Sequence, residues 1–295
     1  MRNIKEKITA KSCPIAGEIE DRIRKGFNSI EIQLFPEHVE SDTAVEQALK
    51  ESLRDNISIP TVHAPLSRES RYQLIDCFTL KNEYYLNTMR FAQRVAEHYG
   101  SKVSVVFHTQ LSIPMLRNMQ GFYRDLVGEL KESIKRFPMV TFSIENVTPT
   151  EDYRNDFCSG CFIENVELCR MFRKDVDPDY FFTTLDTCHA ITTLKFVREL
   201  EEHGYRHDVC MLRHFFEQNA DVCNNVHLAG VTDLGYYKGT HGIRMEKESG
   251  ELRLCLQYIR KYIKDDTRIT LEVAEKDYYD VKDAPAFRDD INFFR

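Results

Sequence analysis

The sequence predicts a single (β/α)8 TIM barrel of the α/β class, forming one domain over residues 1–295 with a short C-terminal tail. Apolar, β-rich runs alternate with amphipathic helix-like segments along the whole 295-residue chain, and no Gly-, Ser- or Pro-rich linker divides it. Eight such units fit a barrel of about 250 residues plus insertions. An open doubly wound sheet is the competing fold, but no Gly-rich phosphate loop follows the first predicted strand.

Eight short runs of apolar and β-branched residues predict the strands of the barrel. In chain order they cover residues 8–12, 29–35, 59–63, 102–108, 139–145, 180–186, 225–228 and 268–273. A strand that is covered on both faces tends to be apolar throughout, and the run at 180–186 begins in this way. It nevertheless ends in Asp186, with Cys188 and His189 directly after it. Such polar strand ends point to function rather than to packing.

Segments with apolar residues at helical spacing lie between the strands and predict the helices. They cover residues 43–54, 80–98, 121–137, 163–173, 191–203 and 251–264. Ser41 and Asp42 stand where the first of these begins, and both residue types are favoured at a helix N-terminus. A strand followed by a helix, repeated along the chain, is the pattern that builds a parallel barrel.

Composition narrows the class of protein. With 42% hydrophobic and 29% charged residues the chain can bury a large core, and its net charge of −7 argues weakly against a dedicated nucleic-acid binder. The nine cysteines follow no repeating frame, which favours reduced thiols. The N-terminus has no apolar signal region, and no stretch approaches the roughly 18 apolar residues of a membrane span. We therefore expect a cytoplasmic protein without a membrane partner, and homo-oligomerisation stays open.

The carboxyl ends of the strands carry the residues that predict function, because the site of a (β/α)8 barrel lies at that end. Six consecutive strands place an imidazole or a carboxylate there, and these are ligand types for zinc, manganese and similar ions. Taken alone, each residue is more often a hydrogen-bonded loop residue or a solvent-facing strand residue. Their coincidence at one rim predicts a metal site. The residues are His63, His108, Glu145, Asp186 with His189 just beyond it, His227 and Glu272, with His241 in the loop after the seventh strand.

Six short motifs resemble those of the xylose-isomerase-like TIM barrels, the superfamily that holds sugar isomerases and epimerases together with endonuclease IV. They are VHAP (62–65), VVFH (105–108), SIEN (143–146), LDTCH (185–189), VHLAG (226–230) and THG (240–242). The resemblance spans nearly the whole chain. Its most specific element is Asp-Thr-x-His at 186–189, placed between the Glu of the fifth strand and the His of the seventh.

The resemblance implies a divalent metal cofactor, with zinc, manganese, magnesium and cobalt as the candidate ions. The implied metal ligands are Glu145, Asp186, His227 and Glu272. In the endonuclease branch, further zinc ions would be held by His63, His108, His189 and His241.

The sugar branch is the function that we expect from the sequence: a metal-dependent isomerase or epimerase of a sugar or sugar phosphate, with a small carbohydrate as its partner. A metal-bound ketose has an acidified C–H, across which Glu145 and Glu272 would act as base and acid. The predicted catalytic residues are Glu145, Glu272 and His189. The predicted substrate-binding residues are His63, His108, His241, Arg244 and Glu31.

Two alternatives remain open at this stage. The first is an endonuclease IV-like, zinc-dependent phosphodiesterase, which LDTCHA at 185–190 favours. Against it, Gly239 stands where the endonuclease pattern has an Asp two residues before His241, and the loop after the second strand, PEHVESD, is acidic. We therefore do not expect a nucleic-acid partner, although the endonuclease alternative would require one. The second alternative is a lyase or dehydratase of a keto-sugar or cyclitol.

The loops after the fifth and sixth predicted strands contain three cysteines. Cys158 and Cys161 have the spacing of a redox pair or of half a zinc knuckle, but no second pair accompanies them, so we expect an inert loop after the fifth strand. Cys188 lies two residues after Asp186, and the alternation of side chains along a strand predicts that it points away from the site.

Overall fold

The fold was analysed in a computed structural model, which describes residues 7–65, 78–108, 117, 119–147, 164–202, 211–231, 241–273 and 282–293. Eight parallel strands close into a barrel in which chain neighbours pair and the last strand pairs with the first. The barrel strands are β1 Ile8–Ser12, β2 Ser29–Gln33, β3 Ser58–His63, β4 Val103–His108, β5 Val140–Glu145, β6 Phe181–Asp186, β7 Cys223–Leu228 and β10 Arg268–Leu271. The predicted (β/α)8 barrel is confirmed.

Helices follow the strands and cover the outside of the barrel. They are α1 Ala16–Arg24, α2 Asp42–Ser52, α3 Glu83–Tyr99, α4 Gln120–Arg136, α5 Glu164–Asp175, α6 Thr187–Glu202, α7 Leu212–Asn219, α8 Gly250–Tyr262 and α9 Asp283–Phe293. The side chain of Ser41 accepts a hydrogen bond from the backbone N–H of Ala44 and caps α2, as its residue type predicts. None of the helices described by the structure is both long and apolar enough to cross a membrane.

A two-stranded antiparallel pair, β8 Gly230–Val231 and β9 His241–Ile243, follows β7 and was not predicted. Its strands are too short to give a periodic signal in the sequence. Gly230 is required here for space, because a Cβ at this position would lie 2.7 Å from Cγ of Met245. The β8–β9 pair therefore depends on close packing of Gly230 against Met245, a contact that the sequence alone does not predict.

The layer between strands and helices is apolar. On β5, Val140, Phe142 and Ile144 are buried toward the helices. The ring of Phe142 stacks on that of Phe181 with centroids 4.9 Å apart and on that of Phe107 at 5.9 Å. These buried rings supply much of the hydrophobic free energy that fixes the barrel.

The inside of the barrel is polar, in contrast to the branched apolar residues that usually fill it. Ser143 on β5 hydrogen-bonds to Thr184 at 2.7 Å and donates to Asn224 Oδ1 at 2.9 Å, and Asn224 in turn donates to Ser104 across the barrel. A register shift opposite Thr183 and Thr184 makes Asn224 an extra residue on β7, that is, a β-bulge. The barrel interior therefore contains a hydrogen-bonded polar layer, which can support further polar side chains beside it.

Candidate metal centre

The metal-ligand types at the strand ends converge in the structure. Strand register places His108 beside Glu145 and Asp186 beside His227, because these residues end neighbouring parallel strands. Glu272 follows β10 directly. All of these side chains are buried except His108 and Glu272, whose side chains are 16% and 19% exposed. The site is thus buried at its base and reachable from the rim.

One set of ligand atoms, the histidine group, comprises His63, His108 and Glu145. His63 Nε2 lies 3.1 Å and His108 Nε2 lies 3.0 Å from the same oxygen, Glu145 Oε2. His63 Nδ1 lies 2.9 Å from the carbonyl oxygen of Ala64, so this nitrogen carries the proton and Nε2 presents its lone pair. A histidine fixed in this way is prepared to bind a metal.

A second set, the carboxylate group, comprises Glu145, Asp186, His227 and Glu272, whose ligand atoms all lie within 4.8 Å of one another. His227 Nδ1 lies 3.2 Å from Glu145 Oε1 and 2.7 Å from Glu272 Oε2. Asp186 Oδ2 lies 3.9 Å from the same nitrogen. The sequence predicted these residues as metal ligands, and the structure brings all of them together.

Glu145 belongs to both groups and joins them through different atoms. Its Oε2 contacts the two imidazoles of the histidine group, and its Oε1 contacts His227 of the carboxylate group. Glu145 could therefore help to hold one divalent ion in each of the two groups.

The donor sets fit divalent ions. Ligand atoms around a tetrahedral ion with bonds of about 2.0–2.1 Å lie about 3.3 Å apart, and the contacts to Glu145 in the histidine group, 3.0 and 3.1 Å, approach this spacing. Among the described side chains, Asp186 Oδ2 is buried without a hydrogen bond, and buried Glu272 Oε2 has the ion-pair contact to His227 Nδ1 but no hydrogen bond of regular geometry. Buried carboxylate oxygens without a donor are costly unless a cation satisfies them.

A third set of close ligand atoms comprises Asp186, Cys188 and His189. The backbone N–H of His189 donates to Asp186 Oδ1, and His189 Nδ1 lies 2.8 Å from the carbonyl oxygen of Asn146. The expectation that Cys188 points away from the site is wrong. It assumed a continuing strand, whereas α6 begins at Thr187 and its first turn brings Cys188 close to Asp186.

Burial and neighbouring charges shift the pKa values of two carboxylates of the site, Asp186 and Glu145, in opposite directions. Burial, reinforced by Glu272 and Glu145, raises the pKa of Asp186 well above its ordinary value. Burial also opposes ionisation of Glu145, but His227 and His108 outweigh it and hold the pKa of Glu145 well below its ordinary value. Among the carboxylates of this group, Asp186 therefore retains a proton that an incoming cation would displace.

His227 and His63 respond differently to burial. Burial opposes a charge on His227, but Glu31, Glu272 and Glu145 outweigh it and raise the pKa of His227 well above its ordinary value. Burial, together with the charge of Lys11, lowers the pKa of His63. His63 is therefore kept neutral and ready for a cation, whereas a cation would have to displace a proton from His227.

Lys11 is a member of the site that sequence reasoning missed. Its Nζ hydrogen-bonds to Glu272 Oε1 and lies 3.6 Å from Glu31 Oε1. Burial disfavours its charge, but Glu272 and Glu31 outweigh burial and raise the pKa of Lys11. The available signal was its place in ITAKS, where a charged residue alternates with buried ones inside a strand.

The remaining predicted residues do not belong to the sets of close ligand atoms or lie outside the described part. Glu31 is fully buried beneath the ligands and contacts His227. Arg244 forms an ion pair with Asp290 of α9, 2.5 Å apart, and its role in substrate binding stays a prediction. His241 lies on β9, but its side chain is outside the described part. Cys158 and Cys161 also lie outside the described residues.

Comparisons with known proteins concern the fold. No protein-family model matches the sequence, and no curated protein matches it. A putative xylose isomerase from Rhodospirillum rubrum aligns with a TM-score of 0.61 and 13% identity, over 97% of this chain and 98% of that chain. Endonuclease IV from Thermus thermophilus aligns with a TM-score of 0.55 and 14% identity, over 97% and 99% of the two chains. A D-psicose 3-epimerase from Clostridium cellulolyticum gives 0.52 and 12%, over 97% of each chain.

The chain has the fold of the xylose-isomerase-like TIM barrels, and the resemblance drawn from its motifs is confirmed at this level. The structural neighbours are described as a putative xylose isomerase, a D-psicose 3-epimerase, endonuclease IV and an AP endonuclease. Identity of this order shows the fold alone and does not choose among the reactions.

Proposed function

We propose that the protein is a metal-dependent phosphodiester hydrolase that uses two divalent ions joined by Glu145. The observation that carries the proposal is the split contact of this carboxylate, with Oε2 at the histidine group and Oε1 at the carboxylate group. The expected sugar branch needs only the carboxylate group. In that branch His63 and His108 are predicted to bind substrate, and a single-ion site does not require both imidazoles to face the same oxygen of Glu145.

The arrangement suits attack on a phosphodiester. A pair of divalent ions would supply Lewis acidity to the phosphodiester oxygens and lower the pKa of the attacking water. The protein's part is orientation: the backbone carbonyl of Ala64 orients His63, and the backbone carbonyl of Asn146 orients His189. Asn146 also pairs through its side chain with the backbone of Asp186, which fixes β6 against β5. The rim is thus preorganised before substrate arrives.

The test combines metal analysis with a cleavage assay. Protein purified without added metal is expected to hold about two divalent ions per chain, and to cut a duplex that contains an abasic site. Cleavage should weaken steeply with salt, because phosphate contacts release counterions.

Glu145→Gln removes the charge of the bridging residue and one of its two oxygens. We expect cleavage to fall by more than about 100-fold, since loss of a partner that merely supports a metal ligand already costs about 10- to 100-fold. Ser143→Ala, two residues earlier on the same face of β5, is the matched control and should retain activity. One ion per chain together with no cleavage would overturn the proposal.

The sugar branch is the second candidate, and one observation favours it. Glu145 and Glu272 approach the same nitrogen of His227, at 3.2 and 2.7 Å, so that both carboxylates adjoin a single ion position, as a proton-transferring pair requires. A ketose epimerised by the protein in deuterated water would acquire deuterium beside its carbonyl group. Such exchange, lost in Glu272→Gln, together with one ion per chain, would establish this candidate in place of the first.

A further inference from the structure

Strands β1 and β2 contribute no ligand atom to the groups described above, yet each sends a charged side chain under them. Lys11 of β1 and Glu31 of β2 are paired in register on the inner face of the barrel. Glu31 is fully buried, and the side chain of Lys11 is 14% exposed. Two charges at this depth indicate a functional role, because burying them costs free energy that their pairing alone does not always recover.

Glu31 contacts the far side of a metal-ligand histidine. Glu31 Oε2 lies 3.0 Å from His227 Nε2, whereas His227 Nδ1 faces Glu145 and Glu272. A carboxylate at Nε2 keeps the proton on that nitrogen and directs the Nδ1 lone pair toward the cation.

Glu31 is itself held in place. Its Oε2 accepts a hydrogen bond from Asn225 at 3.0 Å. The hydroxyl of Thr270 is shared between Glu31 Oε2, at 3.3 Å, and Asn225 Oδ1, at 3.0 Å. Its Oε1 lies 3.6 Å from Lys11 Nζ, which also bonds to Glu272 Oε1. With Oε1 of Glu272 engaged by Lys11, Oε2 is the oxygen left facing His227 and Asp186.

We propose that Glu31 is a positioning residue that fixes His227 for metal binding, and that Lys11 holds Glu31 and one oxygen of Glu272 in the matching orientation. The inference rests on the metal centre of the proposed function. It adds a specific layer to that centre, in which strands β1 and β2, whose sequences carry no recognised motif, set the affinity of the carboxylate group.

Zinc affinity measured by competition with a chromophoric chelator tests the proposal. Glu31→Gln keeps the shape of the side chain and an accepting oxygen but removes the charge. Loss of such a partner of a metal ligand typically costs about 10- to 100-fold in affinity, and we expect a fall of that size at one of the two zinc sites. The visible spectrum of the cobalt-loaded protein should also change, since it reports on the ligand geometry that Glu31 controls.

Thr61→Val is the matched control. Thr61 is buried in the same barrel layer, pairs in register with Glu31, and has no hydrogen bond at Oγ1. Its replacement should leave zinc affinity and the cobalt spectrum unchanged. Should Glu31→Gln not fold, Thr270→Val removes one donor to Glu31 and should lower the same affinity by a smaller factor.

The outcomes separate this inference from the proposed function. If the native protein binds no zinc, the metal centre itself is wrong. If the native protein binds two ions and Glu31→Gln or Thr270→Val binds them as tightly, the metal centre stands and the positioning role of Glu31 is wrong.

Discussion

The two faces of the barrel wall differ in chemistry although they are built from alternate residues of the same strands. On β5, Phe142 faces the helices among aromatic rings, whereas Ser143 faces the barrel interior and hydrogen-bonds to Thr184 and Asn224. The outer face carries the hydrophobic core, and the inner face carries hydrogen bonds, ion pairs between side chains and the candidate metal centre. Stability and function are thus separated by the period of two of a β-strand.

The difference shows how a barrel can hold so many buried charges. The inner residues need not drive folding, because the outer interface provides the apolar burial that stabilises the fold. Each inner polar group needs a partner instead, since an unpaired buried group is costly. The interior can therefore be devoted to positioning Glu31, Glu145 and His227 without loss of the fold.

Adjacent substitutions on β5 should give the largest contrast in stability. Phe142→Ala removes a fully buried ring and should lower the free energy of unfolding by about 3–5 kcal/mol. Ser143→Ala removes hydrogen bonds inside the barrel and should cost about 1 kcal/mol. Urea unfolding of both variants provides the measurement. Equal losses would show that the interior stabilises the barrel as strongly as the outer core does.

Lys11→Met should have the next largest effect on stability. Removal of one member of a buried ion pair costs about 3 kcal/mol or more, because Glu31 and Glu272 are left without their cation. Since Lys11 also holds these two carboxylates in the orientation that the metal needs, zinc should raise the melting temperature less in Lys11→Met than in the native protein. Melting curves with chelator and with zinc test this prediction. An equal rise in both proteins would show that Lys11 does not prepare the site for metal.

The smallest expected effect is the dependence of the free energy of unfolding on pH. The folded-state pKa of Asp186 is raised above its ordinary value of about 3.9, and that of His227 above about 6.5. A group with a raised pKa stabilises the fold fully below its unfolded pKa and loses that contribution as pH rises through the folded value. The metal-free protein should therefore lose stability as pH rises above about 6.5, because the lowered pKa values of Glu145 and His63 act in the opposite direction only below that pH.

Urea unfolding with chelator at a series of pH values measures this slope, and Asp186→Asn should make it shallower. Zinc should reverse it, since metal binding releases the proton of Asp186 and is favoured by high pH. A slope that Asp186→Asn leaves unchanged would show that other groups dominate the titration.

The sequence by itself determined the fold class and the inventory of metal-ligand residues. Both are local properties: apolar runs alternate with amphipathic segments, and each ligand residue stands at the end of its own run. Since parallel strands of a barrel all end at one rim, local positions predicted that these imidazoles and carboxylates would lie near one another. The resemblance to known barrels then singled out Glu145, Asp186, His227 and Glu272, which lie close together in the structure. Local reasoning failed at Cys188, because α6 begins at Thr187, four residues before the predicted helix and one residue before Cys188.

Only the tertiary structure determines which of these residues contact one another, and through which atoms. Glu31 and Asn225 are 194 positions apart in sequence, and Lys11 and Glu272 are 261 apart, so no pattern along the chain links them. Closure of the barrel through the pairing of β10 with β1 brings Lys11 to Glu272. The same closure sets which oxygen of Glu145 meets each ligand group, because that choice depends on side-chain directions from four different strands. Residue types can be read from the chain, but their pairing is fixed by geometry in three dimensions.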